Sequence, residues 1–370
     1  MTGLQKSEVL KVSNLRVSFN TYAGEVKALD GVGLTVRKGE VLGLVGESGC
    51  GKSVTALAIA GLLPPNAAII DGSVMLDGRE VLGMTEKDLQ RLRLEEVAMV
   101  FQDPMTFLNP VISVGSQITE IMSARPELFR ERLVEFRIAQ IEKGEESTET
   151  KGERTRLNAA RSGGRLSSKD FNRLAKLYTI SVLGSVRLPE PEKVFRMFPH
   201  ELSGGMRQRA MIAMALVRRP KLILADEITT ALDVTVQAQV LQLLRDLKAQ
   251  IDASVVLISH DLAVIAELCD RVAVMYAGNV VELADVGELF RNPLHPYTVG
   301  LLASVPRADA PLSSEATIKG SVPDLINPPT GCRFHPRCPK AFDNCPHIKP
   351  PMVEAAPGHF VSCLLYGGVP

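Results

Sequence analysis

Gly46-Glu47-Ser48-Gly49-Cys50-Gly51-Lys52-Ser53 follows an apolar run, Val41–Val45, and opens a stretch of helical character, Lys52–Leu63. The spacing is G-x-x-x-x-G-K-[ST], and a strand before it with a helix after it is the setting in which that pattern cradles phosphate. Glycines let backbone N–H groups wrap a β-phosphate, and a helix N-terminus favours an anion. Lys52 is then within reach of β- and γ-phosphates, and the Ser53 hydroxyl can ligate Mg²⁺. The expected nucleotide contacts run from Gly46 through Val54. An ordinary Gly-rich turn is the plain alternative, and the strand–loop–helix context argues against it.

A second element completes the site. Leu222-Ile-Leu-Ala-Asp226-Glu227 is an apolar strand ending in two carboxylates. Asp226 is placed to hold the Mg²⁺ shell, and Glu227 to polarise an attacking water. Alone, an acidic pair at a strand end is commonplace; beside a phosphate loop it gains meaning. Val97–Phe101, Val255–Ser259 and Val272–Met275 are further short apolar runs. Such runs suit a parallel sheet covered on both faces. Helical patterns at Val234–Leu247 and Leu262–Leu268 alternate with them, which predicts an α/β architecture. Leu10–Phe19 and Val26–Val36 read as an antiparallel pair turning at Gly24.

Composition bounds the rest. With 370 residues, 45% of them hydrophobic, the chain can bury a full core and suits two domains or one domain with an appendage. Forty-two basic residues balance 42 acidic ones, so no net field steers it to nucleic acid or anionic lipid, and no nucleic-acid partner is expected. No run approaches the ~20 apolar residues of a membrane helix, and the first fifteen residues carry no apolar signal core. A membrane role is expected to come through partners.

From Ile118 to Phe198 the pattern is helical, with Ile118, Ile121 and Met122, then Phe129, Leu133 and Phe136, at helical spacing. Within it, Glu142–Asp170 has 13 charged residues among 29, and only Leu157 and Leu166 as large apolar ones. That composition predicts a solvated, dispensable insert. After Arg307, prolines punctuate the chain, and four of its six cysteines fall in the last 40 residues.

Leu202-Ser203-Gly204-Gly205-Met206, some twenty residues before the carboxylate strand, resembles the signature motif of ABC-type ATPases. Other elements of that pattern occur in order. Gln102 resembles the Q-loop glutamine and a further Mg²⁺ ligand, Thr230-Ala-Leu-Asp233 the D-loop, and His260 the switch histidine. Phe101–Val111, Asn292-Pro-Leu-His-Pro-Tyr-Thr298 and Gly331-Cys-Arg-Phe-His-Pro-Arg-Cys-Pro339 are similar to the ATP-binding subunits of oligopeptide/dipeptide ABC importers. The wording after Gln102 favours the D-type subunit over the F-type.

The resemblance implies an α/β ABC-type P-loop ATPase with antiparallel β and helical subdomains and a small Cys-rich C-terminal domain. Residues 1–305 would be the ATPase, with the helical part near 103–198 and the insert at 142–170; residues 306–370 would be the family's extension. It implies a transport motor at the cytoplasmic face of the membrane, bound to two permease subunits and served by an extracytoplasmic substrate-binding protein. ATP would be sandwiched head-to-tail with a second ATP-binding subunit, an F-type partner being favoured over a second copy. Ser203, Gly204 and Gly205 of one subunit would then meet the γ-phosphate held by the other; a simple helix N-cap is the plain reading of Ser203. For adenine stacking Phe19 fits best, with Tyr22 the alternative. A soluble ABC ATPase acting on ribosomes or DNA is the competing class, disfavoured by one cassette and zero net charge. A nucleotide-binding scaffold without turnover is a third. The cargo, whether peptide, oligosaccharide or nickel chelate, leaves no mark on this chain.

Two residues depart from expectation. Ile228 stands where the family usually has Pro, leaving the turn after Glu227 less constrained. Cys50 near a helix N-terminus is either an acidified, reactive thiol or a small residue tolerated in the loop.

Cys332, Cys338, Cys345 and Cys363 leave gaps of five, six and seventeen residues. A reduced compartment disfavours disulfides, and zinc pairs usually show gaps of about two to four. The Cys-Pro steps at 338 and 345 resemble ferredoxin-type ligation. A 4Fe–4S cluster is therefore expected, with zinc or unligated thiols as alternatives, and His335, His347 and His359 in reserve.

Overall fold

The computed structural model describes residues 7–101, 103–144, 148–162, 166–228, 237, 239, 242, 245, 253–304 and 318–367. The chain divides into two compact units, one of Met1–Arg93, Lys221–Thr230 and Leu244–Pro370, the other of Leu94–Pro220 and Ala231–Leu243. The strands, in chain order, are β1 (Glu8–Thr21), β2 (Gly24–Arg37), β3 (Val41–Val45), β4 (Ala67–Leu76), β5 (Arg79–Glu80), β6 (Val97–Val100), β7 (Leu222–Asp226), β8 (Ser254–Ile258), β9 (Arg271–Tyr276), β10 (Asn279–Asp285), β11 (Val353–Ala356) and β12 (His359–Val361). The helices that matter below are α1 (Lys52–Ile59), α2 (Val114–Ser123), α3 (Pro126–Lys143), α4 (Thr148–Arg161), α5 (Ser168–Ser185), α6 (Gly204–Leu216), α7 (Leu262–Leu268) and α8 (Pro296–Ala303).

In the first unit seven strands lie in the order β11-β12-β10-β9-β3-β8-β7. β3 is at the centre, parallel to β8 and β9, and all five of its residues are buried. Apolar side chains on both faces give the unbroken hydrophobic run seen in its sequence. Gly43 is required there: a Cβ would lie 2.9 Å from Cys269 Sγ and 3.1 Å from Ile265 of α7, so the missing side chain lets that helix close on the strand. β2-β1-β4-β5 form a separate antiparallel sheet, with Gly24 (φ 133°) closing the β1–β2 turn as expected.

The second unit holds β6 and a set of helices. Ser113 caps α2 by accepting from Ser116 N, and Ser167 caps α5 by accepting from Asp170 N at 3.1 Å. Ile118 and Met122 of α2 and Phe129 and Leu133 of α3 are buried at the expected helical spacing. Most described residues of the charged insert are exposed, as its composition predicts, but one face of it is not. α4 lies on α3, burying Leu157 and Ala160. Glu153 accepts from Arg137 at 2.9 and 3.0 Å and from Arg173 at 2.7 Å. These two guanidinium groups hold its carboxyl down to about 2. Charge pairing thus orders a segment that hydrophobicity alone would leave free.

The expected separate Cys-rich domain is not formed. The tail belongs to the first unit, and β12 pairs antiparallel with β10 to extend that sheet. The reason is its shortage of apolar side chains, which forces it to share a core. Phe334 is only 2% exposed, with its ring 5.0 Å from that of Tyr276 and 5.4 Å from that of Tyr297. Burying one such ring contributes about 2–3 kcal/mol.

Candidate nucleotide site

The phosphate loop spans the end of β3 and the start of α1, as the spacing predicts. Two glycines are obligatory. At Gly46 (φ 152°) a Cβ would meet Met275 O at 2.1 Å, and at Gly51 (φ 102°) it would meet Leu29 Cδ2 at 2.6 Å. Lys52 is buried along the loop, its Nζ donating to the carbonyls of Gly46 at 2.8 Å and Glu47 at 2.9 Å. Ser48 and Gly49 are exposed and Val54 is half-buried. The reactive reading of Cys50 is overturned: the residue is 0% exposed, and burial raises its thiol pKa despite the neighbouring Lys52.

The carboxylate strand arrives beside this loop. Ser53 Oγ donates to Asp226 Oδ1 at 3.1 Å, so two of the three expected Mg²⁺ ligands are already together. Burial raises the pKa of Asp226, an effect a bound cation would reverse. Glu227 sits at φ 47°, in the left-handed region that a non-glycine residue seldom occupies. Its N–H donates to Ile258 O at 3.0 Å, and its Oε2 lies 3.5 Å from His260 Nδ1. Such backbone strain is concentrated at functional sites. Ile228 is 2% exposed and packs in the core. With MgATP bound, Mg²⁺ would neutralise developing phosphate charge, Ser53 and Asp226 would hold it, and Glu227 would orient the water.

Gln102 and Asp233 lie outside the described residues, as does most of the expected helix at 234–247. Phe19 is half-buried in β1, paired with Val26 and Ala67, while Tyr22 is fully exposed at the hairpin tip. In the second unit Ser203 is the N-cap of α6, accepting from Met206 N at 3.3 Å. A Cβ on Gly204 would meet nothing within 4 Å, whereas Gly205 is buried.

Sequence reasoning missed Tyr297. Its hydroxyl oxygen accepts from Glu47 N at 2.9 Å, fixing the phosphate loop from α8. Tyr297 N in turn donates to His295 Nδ1, and His295 N and Leu294 N donate to the buried Glu282. The signal was present in the Asn-Pro-Leu-His-Pro-Tyr-Thr motif, but nothing in its spacing pointed at the loop.

Among the described residues, no group of three or more His, Cys, Asp or Glu side chains is set to hold a metal ion. As they lie, Cys332, Cys338, Cys345 and Cys363 form no such group, so the structure lends no support to the expected 4Fe–4S centre or to its zinc alternative. Burial pushes the Cys332 thiol up to about 11 and raises Cys338 and Cys363, while the thiols oppose one another's ionisation. Of the reserve histidines, His359 Nε2 is 2.7 Å from Glu282 Oε1, and His335 Nδ1 is 2.9 Å from Cys332 O.

A strand–loop–helix phosphate site, with a carboxylate strand beside it and an antiparallel sheet in the same unit, defines an ATP-binding cassette. The profile described as ABC transporter matches residues 29–230, and that described as Oligopeptide/dipeptide transporter, C-terminal region, matches residues 281–345. The chain is 43% identical to the Oligopeptide transport ATP-binding protein OppD of Escherichia coli (strain K12), over 97% of its own length and 94% of that protein's. It is 41% identical to the Dipeptide transport ATP-binding protein DppD of Bacillus subtilis (strain 168), over 97% and 95%. A dimeric ATP-binding cassette solved in a post-hydrolysis state with ADP and Pi shares the fold, with a TM-score of 0.56 at 23% identity over 75% of this chain and 98% of that one. This chain belongs to the ABC transporter family, within its branch of ATP-binding proteins that carry the oligopeptide/dipeptide C-terminal region. It is an ATP-hydrolysing motor subunit. Among the described residues no helix is long and apolar enough to cross a membrane.

Proposed function

We propose that this chain powers an importer of oligopeptides or dipeptides from the cytoplasmic face of the membrane. The observation that carries the reading is identity above 40% along nearly the whole chain to transport proteins named for those cargoes, together with the matching C-terminal region. In this reading ATP binds across Gly46–Val54, with Ser53, Asp226 and Gln102 on Mg²⁺, Glu227 as the base, His260 at the γ-phosphate and Phe19 at adenine. Ser203–Gly205 and Asp233 complete the site of a second ATP-binding subunit, an F-type partner. Two permeases dock on the helical region, and a substrate-binding protein delivers the peptide. Uptake of labelled di- and oligopeptides by cells carrying the chain or its Glu227→Gln variant tests this. Equal uptake by both, or none of either class, overturns it.

The tail thiols are proposed to take up a 4Fe–4S cluster, which holds its ligand sulfurs farther apart than a single ion does. Support comes from the spacing of the four cysteines, which does not fall into zinc-type pairs. Anaerobically purified protein should contain iron and sulfide in near-equal amounts; colourless protein without iron defeats the assignment.

A further inference from the structure

We propose that Arg337, in the tail, is a positioning residue for the phosphate loop, acting through Glu47. Its Nη1 lies 3.1 Å from both carboxylate oxygens of Glu47 and donates to the Tyr276 hydroxyl at 3.3 Å. Nε donates to Lys319 O at 3.0 Å and Nη2 to Gly320 O at 3.1 Å. The guanidinium lies over the Tyr276 ring, 5.6 Å from its centroid, and the side chain is only 8% exposed. A fork so fully engaged has one orientation, and it aims at the second residue of the loop.

Glu47 is thereby gripped twice from outside the loop, at its N–H by Tyr297 and at its carboxylate by Arg337. Its carbonyl is held from within by Lys52 Nζ. Two consequences follow for an anion bound on this loop. The peptide N–H groups keep the aim that phosphate needs, since small misplacements are costly when several donors converge. The Glu47 charge, which would oppose a triphosphate, is neutralised before the nucleotide arrives. Arg333, four residues earlier, makes a parallel contact. It donates to Ala277 O at 2.6 Å, and the adjacent Gly278 N donates to Cys50 O at 2.9 Å, at the other end of the loop. The tail thus braces the loop at both ends, although it contributes none of the residues that grip phosphate.

This inference rests on the nucleotide reading of the loop, which loss of MgATP binding in Lys52→Ala tests separately. The experiment measures MgATP affinity of the full-length chain as Arg337→Ala, Arg337→Lys, Glu47→Gln and the Arg337→Ala/Glu47→Gln double variant. Arg337→Ala should weaken binding about ten-fold, equivalent to about 1.4 kcal/mol. Arg337→Lys should lose less, because it keeps charge without the fork. Adding Glu47→Gln to Arg337→Ala should restore at least half of the logarithmic loss, since the orphaned carboxylate is gone. A residue that merely tethers the tail would show no such rescue. Affinity of Arg337→Ala within two-fold of the parent, or a double variant no better than Arg337→Ala, overturns the proposal. Should Arg337→Ala fail to fold, Arg337→Lys and its Glu47→Gln double are judged by the same two criteria.

Discussion

His260 Nδ1 stands 3.5 Å from Glu227 Oε2, although the two residues leave the ends of different strands. β7 delivers Glu227 and β8 delivers His260, and the parallel pairing of those strands, Asp226 opposite Ile258, sets their approach. Replacing Glu227 by Gln removes a base but keeps shape and hydrogen bonding. MgATP affinity should stay within about three-fold of the parent while turnover falls by about 10²–10⁴. Single-turnover hydrolysis at saturating MgATP checks this; parental turnover would falsify Glu227 as the base.

Gly46 offers a purely steric test. A methyl group there would collide with a backbone carbonyl, Met275 O, at a φ of 152°. Gly46→Ala should lower stability by about 1–3 kcal/mol and abolish measurable MgATP binding. Nucleotide titration together with thermal melting reads both. Gly49, where a Cβ meets nothing within 4 Å, should be far more tolerant despite its positive φ.

His295 predicts a pH dependence of folding. It is buried, and its pKa falls from 6.5 to about 3 because burial opposes the charged form. The folded state therefore binds fewer protons than the unfolded chain between those values, and stability rises with pH through that window. Its contribution is complete above about 6.5 and is lost progressively as pH falls toward 3. At pH 5 the deficit should be about 2 kcal/mol. Urea denaturation at pH 7.5 and 5.0 measures it; His295→Asn, whose side-chain oxygen can still accept from Tyr297 N, should flatten the difference.

Glu153 makes the opposite kind of group, an acid held ionised. Its depressed pKa, 4.5 to about 2, gives stability that is complete above 4.5 and lost as pH falls through about 2. Arg173 is substantially solvated, so Glu153→Ala should cost only about 1–2 kcal/mol at pH 7. Denaturation of the variant checks this, and proteolysis within α4 should accelerate in parallel. An unchanged rate of cleavage would return the insert to the solvated state its composition suggests.

Much of this molecule is legible in its amino-acid sequence. Val41–Val45 and Leu262–Leu268 have the bounds read from their apolar patterns, because buried strands and amphipathic helices write their period into the chain. The strand–loop–helix setting of Gly46–Ser53 and the strand end at Asp226 were legible because an apolar run followed by that glycine spacing restricts the local fold. Glu153 was not, since a carboxylate that is one of 13 charged residues in its segment looks solvated until its two arginines are brought together from α3 and α5. Arg337 was hidden for a similar reason. It is separated from Glu47 by 290 residues, and pairing over that distance has no periodicity.

The pairing of β12 with β10 makes the tail the guardian of a sheet margin. Glu282 and Leu283 face Val361 and Phe360 across that ladder, and β11 covers β12 in turn. A chain ending after α8 would leave β10 with unsatisfied N–H and C=O groups beside a row of buried apolar side chains, the combination that recruits strands from other molecules. That margin is covered by a strand of only three residues, His359–Val361. Shortened forms of this chain would have to solve that exposure afresh before they could persist as single copies.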